Sequence, residues 1–130
     1  MPAGYTIVLR NAQLDAITAF VGGGGKLRLY DGTRPATGGA PTNLLAEFVL
    51  GTPFAAAASG AILSPTLPAN TTGLAAGTAT WFRLVKSDGT THVLDGSAGT
   101  SGTDLILNTA SISIGVTLNI SSWSIARGNA

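Results

Sequence analysis

The residues able to do proton chemistry are few: one histidine, His92, and six carboxylates, Asp15, Asp31, Glu47, Asp88, Asp95 and Asp104. A Ser-His-Asp site would need His92 between a nucleophilic serine and a carboxylate. Serines abound, yet no G-x-S-x-G elbow is present. His92 follows an Asp-Gly pair inside an alternating stretch, which reads as a half-exposed strand position. Asp31, Asp88 and Asp95 each precede glycine, and Asp before Gly is ordinary turn chemistry, because the carboxylate bonds its own backbone. Glycoside hydrolysis needs two carboxylates facing each other across a sugar. Asp95 and Asp104 flank one Gly/Ser/Thr loop and could meet there, around a calcium ion. Calcium takes about six to eight oxygens, and two carboxylates plus backbone are a poor supply.

The run "VGGGGKLRLYDGTRP" raises a second chemistry. Glycines beside a lysine often cradle phosphate, but a Walker loop needs G-x-x-x-x-G-K-[ST] between a strand and a helix. Here Lys26 is followed by Leu27, and the order is helix, glycines, strand. Helix N-terminal amides would point away from the loop. The glycines are expected to stop the helix and form a flexible joint. No catalytic, metal or cofactor residue is expected anywhere in the chain.

The elements that carry these residues follow from periodicity. Leu14, Ile17 and Phe20 or Val21 recur at helical steps, Asn11 would cap the start, and glycine after Val21 ends the run. A helix over residues 11–21 is predicted, preceded by a possible N-terminal arm over 1–10. "KLRLY" alternates, "LLAEFVL" gives a second strand near 45–50, and "TATWFRLVK" a third over 78–86. Asp88-Gly89 joins two apolar strand ends as a hairpin. Asp95-Gly96 is expected to repeat the device. Short strands follow near 60–64 and 67, and a last one over about 116–126. "TRPATGGAPTN" reads as an exposed, tolerant loop. The sum is a single mainly β domain over 1–130, a β-sandwich or jelly roll with one short N-terminal helix.

Composition narrows the function. The chain has 130 residues, no cysteine, seven basic and six acidic residues, and a net charge of +1. Disulfides and thiolate metal sites are excluded. Arg10, Lys26, Arg28, Arg34, Arg83, Lys86 and Arg127 are scattered, so no basic patch for nucleic acid is visible. Apolar runs fall far short of the roughly 20 residues that span a membrane, and the first residues lack a signal-peptide pattern. Only 10% of residues are charged, against about 25% in ordinary soluble chains. Such a surface is poorly defended against association, which suits a protein in lasting contact with other protein.

The phrases "LDAITAFVGGGGKLRLYDGTRPA", "LLAEFVL" and "GTATWFRLVKSDGTTHVLDGSAGTSGTDL" resemble a family of small structural proteins of tailed bacteriophages, similar to capsid decoration or cement proteins. The resemblance covers about Asn11 to Ile125. It implies a multicopy part, in the host cytoplasm during assembly and then on the capsid exterior. Its partners would be the major capsid protein and further copies of itself, as a homodimer or homotrimer. It carries over no catalytic residue. Interfaces of this kind hold aromatic and arginine anchors near their centres, and Tyr5, Arg34 and Trp123 are the candidates. The residues before the helix would either add a strand to a neighbour's sheet edge or form an ordinary first strand of the domain. The alternatives are a tail or head–tail joining part, or a carbohydrate-binding β-sandwich with exposed aromatics.

Overall fold

The computed structural model describes residues 4–36 and 38–126. One helix, α1 (Ile7–Val21), precedes twelve strands: β1 (Lys26–Tyr30), β2 (Leu44–Val49), β3 (Ile62–Leu63), β4 (Thr71–Thr72), β5 (Gly77–Thr78), β6 (Trp81–Val85), β7 (His92–Gly99), β8 (Leu105–Leu107), β9 (Ser111–Ile112), β10 (Thr117–Leu118), β11 (Ile120–Trp123) and β12 (Ile125–Ala126). The chain is a single mainly β domain with one N-terminal helix, as its sequence implies. Its main layer is a curled six-stranded sheet in the order β11-β8-β7-β6-β1-β2. Three two-stranded ladders, β10·β4, β12·β3 and β5·β9, complete it.

The helix starts earlier than its periodicity indicates. Thr6, not Asn11, is the N-cap: its hydroxyl accepts the Leu9 N–H at 3.2 Å. Residues 7–10 therefore form the first turn and are not a strand-forming arm; Met1 to Ala3 lie outside the described residues. Gly22 ends the helix at φ 70°, with its N–H on Thr18 O, a conformation that glycine adopts without strain. Of the rest of the run, Gly23 and Gly25 are closely packed and Gly24, at φ 70°, is not. A Cβ on Gly25 would lie 2.7 Å from Val21 Cγ1 and 3.2 Å from the Val85 carbonyl. The predicted flexible joint is thus a close crossing of helix and sheet.

The strands pair through alternation. Leu27 and Leu29 on β1 lie opposite Phe48 and Ala46 on β2, and opposite Leu84 and Phe82 on β6. All are fully or nearly fully buried and form one wall of the core. Leu14 and Val21 of α1 close it from the other side. The β6–β7 hairpin turns at Asp88-Gly89 as its sequence demands: Gly89 has φ 75°, and Asp88 Oδ1 accepts the Thr90 and Thr91 amides at 2.9 Å each.

Three of the strand and turn expectations fail, and the predicted last strand over about 116–126 is divided into β10, β11 and β12. "TATWFRLVK" is interrupted, with β5 pairing β9 and only 81–85 joining the sheet. Asp95-Gly96 is no turn but mid-strand in β7, and β7 runs parallel to β8 through Ala98↔Leu105 and Gly99↔Ile106. The reason is packing. Gly96 sits where a Cβ would come 2.5 Å from the Phe82 ring, so this glycine serves close approach and not chain reversal. Residue 67 also lies outside any strand.

Candidate interaction surfaces

The strand registers bring four charged side chains into one row across the outer face of the sheet. Arg28 lies opposite Glu47 on one side and Arg83 on the other, and Arg83 lies opposite Asp95. Two arginines side by side would repel, and each is drawn to its flanking acid. Arg83 grips Asp95 with both oxygens, Nε to Oδ1 at 2.8 Å and Nη2 to Oδ2 at 3.1 Å. That bond raises the affinity of the guanidinium for its proton. Arg28 reaches Glu47 more loosely, at 3.7 Å, and donates from Nη1 to the Gly89 carbonyl at 2.9 Å.

The β1–β2 loop closes over this row. Arg83 Nη2 donates to Gly39 O at 2.8 Å, and Gly38 N–H donates to Asp95 Oδ2 at 3.4 Å. Further along, the Trp81 indole N–H donates to Asp31 O at 3.0 Å and Thr42 Oγ1 at 3.1 Å. Trp81 is stacked on Tyr30 with ring centres 4.5 Å apart, and the Arg83 guanidinium lies over its ring. The loop predicted as exposed and tolerant is therefore anchored at both ends. Asp31 accepts from the Asn43 side chain and backbone, which hold its carboxyl below the usual range.

Asp95 and Asp104 border one cavity but are bound to different partners. Asp95 is bound to Arg83, while Asp104 Oδ2 accepts from Ser97 N and Oγ at 3.0 and 3.2 Å. No group of three His, Cys, Asp or Glu side chains able to hold a metal occurs among the described residues. His92 Nδ1 lies 3.6 Å from Asp95 Oδ1, and neither ring nitrogen has a hydrogen-bond partner among the described residues.

The three predicted anchors are not brought together. Trp123 is 5% exposed and packs its ring edge-on against Phe54 and Phe82, both at 5.5 Å. It packs within the core and is not an exposed interface anchor. The sequence carries the reason: Ile120 and Trp123 come at the two buried positions of β11. Arg34 is exposed at the loop tip, and Tyr5 is half-buried beside the helix cap.

Sequence reasoning missed the helix exterior. Asn11 and Asp15 turn toward the domain and accept the Ala61 and Ala58 amides at 2.8 and 2.7 Å. The outward side shows Val8 at 75% and Phe20 at 50% exposure, with Ala12, Ala16 and Ala19 also exposed. No signal for it is present in the sequence: Asn11 and Asp15 share one face, and a polar helix face is ordinarily turned to water.

No family model, curated protein or solved structure matches this chain.

Proposed function

We propose that this chain is a structural virion protein that binds the outer surface of a tailed-phage capsid and stabilises it by clamping neighbouring capsid subunits. The supporting observation is the exposed apolar side of α1, which adds to the buried side formed by Leu14 and Val21. A surface helix ordinarily turns its apolar stripe inward and its polar face to water. Here the inward side holds Asn11 and Asp15 as well as Leu14, and Ile7, Val8, Leu9 and Phe20 are all at least 45% exposed. Exposed apolar area of this kind marks contact with another protein. Binding that occurs only in the assembled shell adds its free energy to that shell alone. The carbohydrate reading is disfavoured, since both tryptophans are buried and offer no flat platform for a sugar.

Quantitative mass spectrometry of purified virions tests this first, as copies of this chain per major capsid subunit. A near-stoichiometric ratio is the expected result. A handful of copies would place the protein at the tail or head–tail joint, and absence would refute the reading. Particles lacking the chain should burst at a lower temperature than complete ones, and equal melting would count against clamping.

A further inference from the structure

Two short stretches of chain face each other across a cavity of about 230 Å³. One is Leu94, Asp95 and Gly96 in β7; the other is Ser124, Ile125 and Ala126 at β12. Successive residues of a strand point to opposite faces. A cavity bordered by three consecutive residues on each side is therefore bordered by strand edges.

The ladder explains why the gap exists. β7 extends from His92 to Gly99, yet it meets β8 only at Ala98 and Gly99. Before Ala98 its second edge has no neighbouring strand among the described residues. Ala98 N–H donates to Thr80 O on the β6 side. In an antiparallel pair these directions alternate, so the backbone groups of Asp95 and Ser97 point away from β6. Ser97 bears this out by donating its N–H to Asp104 Oδ2. The N–H and C=O of Asp95 have no ladder partner on that side among the described residues.

The slot also has a chemical character. Phe82, Leu94, Trp123 and Ile125 give it apolar walls, and Asp104 stands beside it. Asp104 makes no ion pair among the described residues, and only its Oδ2 accepts hydrogen bonds. At Gly96 the Phe82 ring and Asp104 approach the backbone closely, since a Cβ there would press on the ring and lie 3.1 Å from Asp104 Oδ2.

We propose that this slot accepts an extended peptide segment of a partner protein, added as a strand beside Asp95, with a basic side chain at the Asp104 end. The main chain of β7 would supply the hydrogen bonds, and the apolar walls would select side chains at alternate positions. The inference goes beyond the virion reading and stands or falls separately from it, since any partner could supply the segment.

A displayed library of random heptapeptides, selected on the full chain, tests the proposal. Enriched peptides should alternate apolar residues and carry Lys or Arg near one end. Their affinity should fall by about tenfold or more, some 1.4 kcal/mol, against the slot-filling Ile125→Trp and the charge-reversing Asp104→Lys. Asp104→Asn serves as a milder second variant, and circular dichroism and melting confirm that each variant folds. N-methylation of the peptide bonds facing Asp95 should abolish binding. A library yielding no peptide overturns the proposal. So do peptides that bind the Ile125→Trp protein equally well, or that tolerate N-methylation, since the latter would be held by side chains alone.

Discussion

On the sheet, four charged side chains lie in one row and the β1–β2 loop closes over them; on the helix, Asn11 and Asp15 turn inward beside Leu14 and Val21 while Val8 and Phe20 stay at least half exposed. The charged residues are few, and several of them brace the domain internally. Arg83 and Asp95 hold a loop to a sheet, and Asp15 holds a loop to a helix. What is left for the outside of the helix is small and apolar. The contrast separates two tasks that a sparse charge complement must share, fixing loops and leaving a surface free for contact.

Four variants and one titration sharpen or break this contrast. The largest effect is expected for Trp123→Ala, about 4 kcal/mol of stability by urea unfolding, the usual cost of emptying a buried tryptophan site. A much smaller loss would restore Trp123 as a surface anchor. Asp95→Ala should cost about 3 kcal/mol, because it strands a buried guanidinium, and it should speed hydrogen exchange at the Gly38 amide. If the loop amides stay as protected as before, the row does not hold the loop. Thr6→Ala, which removes the helix N-cap, should cost about 1 kcal/mol in thermal or urea melts.

Val8→Glu combined with Phe20→Glu reaches the other side of the contrast. Stability should change by no more than about 0.5 kcal/mol per site, as at ordinary surface positions, while attachment to capsids in a co-sedimentation assay is lost. Retained attachment would free the helix of any contact role. The smallest effect belongs to acid. Asp31 and Asp88 are held below the usual carboxylate range, Asp31 chiefly by the Asn43 side chain and Asp88 chiefly by the Thr91 hydroxyl. A carboxyl lowered on folding stabilises the fold above its unfolded pKa and loses that contribution as pH falls through the folded value. Stability should therefore begin to decline as pH falls through the ordinary Asp range and continue to fall below it, and a decline beginning near neutrality would point to other groups.

The local chemistry of this fold was legible in its sequence, and the long-range pairing was not. Leu27 and Leu29 announce β1, and Asp88-Gly89 announces its hairpin. The helix start was obscured because Ile7 and Val8 are β-branched and read as strand, whereas the Thr6 hydroxyl settles the matter by capping Leu9. Asp95-Gly96 carries turn chemistry identical to that of Asp88-Gly89. Only the Phe82 ring packed over Gly96 distinguishes them, and that contact joins residues of different strands. The charged row appears only once the register sets Arg83 opposite Asp95. The slot beside β7 depends on which residues fail to pair, and composition leaves no trace of that.

The anchoring of the β1–β2 loop also divides it for protein engineering. Gly32 O is held by the Thr80 hydroxyl, and Gly38 and Gly39 are held by Asp95 and Arg83. Between these posts Thr33, Arg34 and Ala36 are exposed. A foreign epitope spliced between Thr33 and Ala36 would leave both posts in place, and each doubling of the loop would cost only about 0.6 kcal/mol in closure entropy. The tip is thus a display platform, ready to present a grafted peptide in a fixed direction without disturbing the sheet beneath it.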